Sequence, residues 1–130
     1  MDSTLITQTA SLLPSLLVME PETSQRKGIA VAVLDHVHEV RLTGSMAEAI
    51  RCCLERPFTV ALLSLDLADP PSWEQLGAFR AAAPASRIII AGPQITDTGR
   101  LAQFGVRTVL EQPLDVRGLL SVLSEREPLP

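Results

Sequence analysis

No cluster of basic residues, no apolar run of membrane-spanning length and no cysteines spaced for an ordinary disulfide occur in these 130 residues. Each absence narrows the reading. The 11 basic residues, all but Lys27 arginines, are scattered singly through a chain of net charge -4, which argues against a nucleic-acid surface and against a membrane-binding face. The start, MDSTLITQTASLLP, carries Asp2 and no basic region, so it does not read as a signal peptide. Cys52 and Cys53 are sequence neighbours, and such neighbours on a helix point about 100° apart. Geometry therefore disfavours a disulfide between them, no third metal ligand stands nearby, and the pair suits a reducing, cytoplasmic compartment. With 46% hydrophobic residues the chain is long enough to bury one core unaided and too short for a second domain.

What the chain does have is the stretch Phe58 to Asp69, FTVALLSLDLAD, an apolar run that stops in acidic and proline-rich sequence. From Val60 to Leu65 only Ser64 is polar, the pattern of a central strand buried on both faces with Ser64 at its exit. Open parallel sheets gather ligands and chemistry just beyond the carboxyl ends of such strands, which directs attention to Ser64.

Ahead of it, Ser15–Glu20 (SLLVME) predicts a buried strand delivering acids to the same edge. Thr23–His36 contains GIAVAVL, strand-like in its valines and isoleucine. Ile29, Ala32, Val33 and His36 nevertheless fall at the i, i+3, i+4, i+7 spacing of one helical face, and a second strand here would leave no crossover between parallel neighbours. The stretch is predicted to be helix. His38–Thr43 alternates as an edge strand should, and Ser45 to Glu48 is a capping box for a helix to Arg56. Its inward residues are predicted as Ile50, Cys53 and Leu54, its outward ones as Glu48, Arg51 and Glu55.

Beyond the central strand, Pro70 and Pro71 predict a rigid turn, and Ser72 with Gln75 a second capping box for a helix to about Ala83 that buries Leu76 and Phe79. Trp73 either covers the start of that helix or anchors a partner. Arg87–Ala91 is a further buried strand, ended by Gly92 and Pro93. A short helix from Thr96 or Asp97 stops at Gly105 in left-handed conformation. Arg107–Glu111 is a fifth strand, and Asp115 caps a last helix with Val116, Leu119, Leu120 and Leu123 inward. Such alternation makes an α/β fold: a doubly wound five-stranded parallel sheet, (βα)5, in a flavodoxin-like three-layer sandwich. The domain is expected over 15–124, with tails at 1–14 and 125–130. Leu5, Ile6, Leu12 and Leu13 in the first tail recur at helix-like spacing.

LLVMEPE, RLTGSMAEAIRCCLERPFTVALLS and VLEQPL resemble, in turn, the first strand, the second strand through the third, and the fifth strand with its turn, of the response-regulator receiver domain of two-component signalling. The resemblance covers Ser15 to Ser124. It implies a bacterial phosphorelay module, in which an aspartate ending the third strand accepts a phosphoryl group. Two acids after the first strand help bind Mg²⁺, a Ser or Thr ends the fourth strand, and a lysine precedes a proline after the fifth. Carried over residue by residue, the acceptor position is Ser64, Glu20 matches one acid and Pro21 stands at the other. Gly92 replaces the hydroxyl, Gln112 the lysine, and Val109 the aromatic residue whose rotation reports phosphorylation.

Mg²⁺ takes oxygen ligands, mostly carboxylates. A charge pair at about 4 Å is worth on the order of 4 kcal/mol in partly screened surroundings. Even after desolvation, two missing carboxylates weaken such a site by orders of magnitude, since each ~1.4 kcal/mol is tenfold. A serine hydroxyl is a poor nucleophile without an adjacent base, and His36 and His38 lie before the second strand, away from that edge. A lysine without its carboxylates would be a buried unpaired cation, and Gln112 removes it. The expectation is a pseudo-receiver: a stand-alone, non-enzymatic protein-interaction module, independent of phosphorylation and without a cofactor.

Its partner is expected to be a protein of a signalling pathway, or a second copy in a homodimer, bound on the face of the fourth helix, fifth strand and fifth helix. The resemblance places Leu101, Phe104, Arg107, Val109 and Arg117 there, with core packing as the alternative for Leu101 and Phe104. Asp66 carries the other reading, in which it rebuilds a Mg²⁺ site with Glu20 and Glu22 or takes the phosphoryl group itself. From a different class comes a flavodoxin-like small-ligand binder, for which Ala91–Thr98 (AGPQITDT) offers one glycine, two threonines and no lysine to hold a phosphate. Asp35 and His36 lack the Asp-x-His-x-x-Gly spacing of a cobalamin site.

Overall fold

The computed structural model describes residues 13–94 and 97–125. Strands β1 (Ser15–Met19), β2 (Glu39–Thr43), β3 (Val60–Ser64), β4 (Arg87–Gly92) and β5 (Thr108–Glu111) alternate with helices α1 (Thr23–Val33), α2 (Met46–Glu55), α3 (Pro70–Ala82), α4 (Thr98–Gln103) and α5 (Val116–Ser124). Every neighbouring pair of strands is parallel, in the order β2-β1-β3-β4-β5. This is the doubly wound (βα)5 sheet that the alternation predicts. The helix-like spacing of Leu5, Ile6 and Leu12, the helix start at Thr96 and the tail beyond Glu125 lie outside the described residues.

Because successive strand residues face opposite ways, the central strands feed two cores. Leu17, Met19, Ala61, Leu63, Ile88 and Ile90 pack against α2, α3 and α4. Leu16, Val18, Val60, Leu62, Ile89 and Ala91 pack against α1 and α5. Both faces of β1, β3 and β4 are thereby dry, which is why their sequences run apolar without alternation.

The strand-like GIAVAVL segment is helical, with Ile29 and Val33 buried. His36 departs from the expected face: the helix tightens into a 3₁₀ turn over Leu34–His36, which rotates His36 outward to an exposed position. The Ser45 capping box forms, its Oγ accepting from the Glu48 amide at 3.2 Å while Glu48 Oε1 accepts from the Gly44 amide. The phase of α2 is corrected, however. Met46, Ala49, Cys52 and Cys53 are buried, Ile50 is half-buried and Leu54 is 71% exposed. At about 100° per residue, the stripe that takes Ala49 and Cys53 inward swings Leu54 out.

Pro70 and Pro71 do not precede α3; they open it, with Asp69 at the N-cap. Proline at the first helical position loses only an N–H that has no intrahelical partner. Ser72 is therefore inside the first turn, buried, and does not cap. In α5, Asp115 caps through the Arg117 amide as expected, but Val116 is 45% exposed and Val122 occupies the buried stripe with Leu119 and Leu123. Gly105 sits at φ 74, the left-handed stop read from the sequence.

Candidate functional site

In the order β2-β1-β3-β4-β5 the chain reverses direction between β1 and β3, and a parallel sheet opens its carboxyl-edge crevice at such a switch point. Met19 pairs with Leu63, so the next residues on each strand, Glu20 and Ser64, stand side by side at the rim. Ser64 Oγ donates to Glu20 Oε1 at 2.7 Å. The other carboxylate oxygen of Glu20 accepts from the Glu22 amide at 2.9 Å, and the residue is only 5% exposed. An adjacent base for Ser64 therefore exists, which the histidine-based reasoning overlooked. The hydroxyl gives its one proton to that bond and has none for a second acceptor.

Glu22 and Asp66, the other acids weighed for a metal site, are engaged elsewhere. Glu22 caps α1, accepting from the Ser24 hydroxyl and from the amides of Ser24 and Gln25. Those bonds, the Ser24 hydroxyl foremost, hold its carboxyl below the usual range. Asp66 is exposed in the loop after β3, where its Oδ1 accepts from the Ala68 amide at 3.0 Å and its carbonyl from the Asp69 amide. That loop also seats Trp73, whose indole donates to the Leu67 carbonyl at 3.0 Å. Trp73 is buried over the start of α3, with the Arg100 guanidinium 4.1 Å above its ring.

Pro21 is exposed at the second acid position, and Gly92 ends β4 with its carbonyl taking the Gln112 amide at 2.9 Å. Val109 is half-buried beneath α4 and Gln112 half-buried after β5. Glu20, Pro21, Ser64, Gly92 and Gln112 thus share one edge. Arg26 completes it and was missed from the sequence: its Nη1 donates to the Glu20 carbonyl at 2.8 Å and to the Pro21 carbonyl at 3.3 Å. The signal was available, since a basic residue early in a helix that starts at this edge is placed to reach back over it.

The donors present do not fit Mg²⁺. Glu20 is the only buried carboxylate among the described residues, and both its oxygens already accept hydrogen bonds inside the protein. Among the described residues no three His, Cys, Asp or Glu side chains gather as a metal-binding group, and no buried side-chain nitrogen or oxygen lacks a partner.

On the face expected to bind partners, Leu101 is 1% exposed and belongs to the core, so it is not a contact residue. Phe104 is half-buried, its ring 6.1 Å from that of Trp73. Arg107 and Arg117 are exposed. The two histidines are exposed and remote from the edge.

No protein-family model matches the sequence, and neither does any curated protein. Solved structures do match. A CheY-like response regulator receiver domain protein from Methanospirillum hungatei JF-1 superposes with a TM-score of 0.74 at 18% identity, over 85% of this chain and 90% of that one. A protein described as pilus assembly-related from Burkholderia pseudomallei K96243 gives 0.68 at 21% identity, over 84% and 85%. A response regulator from Burkholderia pseudomallei, carrying a phosphorylated aspartic acid and a calcium ion, gives 0.71 at 17% identity, over 85% and 66%. The fold is that of CheY-like receiver domains.

Proposed function

We propose that this chain is a receiver-like signal-transduction module that works by binding a protein partner, without phosphorylation and without catalysis. One observation carries the reading: at the switch point, where a receiver presents its acceptor aspartate, a serine stands instead, and Ser64 donates a hydrogen bond to Glu20, the only buried carboxylate among the described residues. Acyl-phosphate chemistry needs a free carboxylate nucleophile and a divalent cation to offset the charge of the incoming phosphoryl group. Here Glu20, Glu22 and Asp66 are occupied by a hydroxyl, a helix cap and a turn, and a guanidinium lies over the rim.

Arg107, Val109 and Arg117, with Phe104 at its margin, form the face offered to a partner or to a second copy. Gly92 and Val109 provide neither the hydroxyl nor the aromatic ring that would couple that face to the acceptor position. It rests in one conformation, and any change follows differential binding by the partner. Two-state exchange across β5 and α5 in relaxation-dispersion NMR would count against this.

Beryllofluoride with Mg²⁺ mimics an acyl phosphate and tests the proposal directly. Amide spectra are expected to stay unchanged; shifts that spread from Ser64 and Asp66 to Val109 would overturn it.

A further inference from the structure

At the opposite, amino edge of the sheet lies a cleft of about 570 Å³, bounded by the ends of α3 and α4 and the starts of β4 and β5. That is within the roughly 300–1,000 Å³ of small-molecule sites. Arg80, Arg87 and Arg107 line it, and Glu125 is its only carboxylate among the described residues. Net positive charge here contrasts with the chain's overall -4 and with the acidic carboxyl edge.

The three guanidiniums are held differently. Arg80 is anchored by carbonyls alone: Nε donates to Phe104 at 2.7 Å, and Nη1 to Ser86 at 2.8 Å, Ala83 at 3.1 Å and Pro84 at 3.4 Å. No carboxylate offsets it, and Nη2 makes no hydrogen bond among the described residues. Burial pushes its pKa below the usual value, in keeping with a desolvated, uncompensated cation. Nη2 lies beside Gly105, where a side chain would come within 3.3 Å of it; the glycine keeps that approach open. Arg87 is fixed by the Val122 carbonyl, the Thr108 hydroxyl and Glu125. Arg107 is exposed and has neither hydrogen bond nor ion pair among the described residues.

We infer that this cleft is a binding site for a small phosphate-bearing ligand, with Arg80 and Arg87 as its fixed floor and Arg107 closing over the anion. Among the described residues, three guanidiniums against one carboxylate leave two positive charges, matching a phosphate group of about −1.5 to −2. The uncommitted fork of Arg107 can pair with two phosphate oxygens at once, and Arg80 Nη2 adds a donor from the floor. The site lies at the other end of the strands from Ser64 and does not rest on the absence of phosphorylation there, although it shares Phe104 and Arg107 with the face proposed for a partner.

Isotope-labelled protein titrated with inorganic pyrophosphate, against sodium chloride and succinate at matched ionic strength, provides the test. Saturable amide shifts confined to Ala85–Arg87 and Gln103–Thr108 are expected, absent with chloride. Arg107→Glu, a surface change that leaves the fold intact, should weaken binding by about tenfold or more, and Arg107→Lys by less. Shifts that chloride reproduces, or binding indifferent to Arg107→Glu, would overturn the site; succinate binding as tightly as pyrophosphate would overturn the phosphate assignment.

Discussion

Replacing Ser64 with aspartate restores the residue type that a receiver needs and, on this account, harms the protein. Ser64 Oγ lies 2.7 Å from Glu20 Oε1, so a carboxylate at 64 lands within about 4 Å of a buried carboxylate. At an effective dielectric constant near 20, two like charges at ~4 Å repel by on the order of 4 kcal/mol. Gln112 offers no compensating charge, and Arg26 is turned to the backbone carbonyls of Glu20 and Pro21. Ser64→Ala loses only a charge-assisted hydrogen bond, about 1.5–3 kcal/mol. With roughly 4 °C of melting temperature per kcal/mol for a domain of this size, the aspartate variant should melt on the order of 15 °C below the parent and well below the alanine variant. Millimolar Mg²⁺ should return part of that loss to Ser64→Asp, by neutralising the pair, and leave the parent unmoved. Thermal melts with and without Mg²⁺ give both numbers. A Ser64→Asp protein as stable as the parent, or a parent stabilised by Mg²⁺, would refute the reasoning.

Burial, with Cys52 adding to it, pushes the Cys53 thiol from 9.0 up to about 11. A raised thiol pKa leaves its contribution intact below the unfolded value and removes it as pH climbs through the folded one. Urea midpoints should therefore decline from about pH 9 to pH 11 and flatten in Cys53→Ala, while a thiol reagent at pH 8 labels Cys53 only after denaturation. Arg80→Met leaves the carbonyls of Phe104 and Ser86 without their side-chain donor and should cost about 3 kcal/mol in urea unfolding. Trp73→Phe keeps most of the packing but deletes the bond to Leu67, for a loss of about 1 kcal/mol by the same assay.

Alternation of elements, the helix hidden in GIAVAVL, the Ser45 and Asp115 caps and the left-handed Gly105 were all legible in the sequence, because each follows from local periodicity or capping chemistry. Helix phase was less so. A shift of one residue turns a side chain by about 100°, and that separates the predicted inward Leu54 from the exposed one, and Val116 from Val122. Pro70 and Pro71 are equally good as a turn or as a helix start, and the structure places them at the first positions of α3. At the rim, counting along strands placed Glu20 and Ser64 at one edge. It could not show that their side chains bond, nor that Asp66 is spent on the Ala68 amide, since both depend on rotamers and loop closure. Arg26 and Arg80 escaped notice for the same reason: long side chains act across elements that sequence spacing does not connect.

Intact mass spectrometry after incubation with acetyl phosphate and Mg²⁺ meets the central claim most directly. The mass of the parent protein is predicted to stay unchanged under conditions that fully load an ordinary receiver. Gain of one phosphoryl group, abolished by Asp66→Asn or by Ser64→Ala, would contradict it.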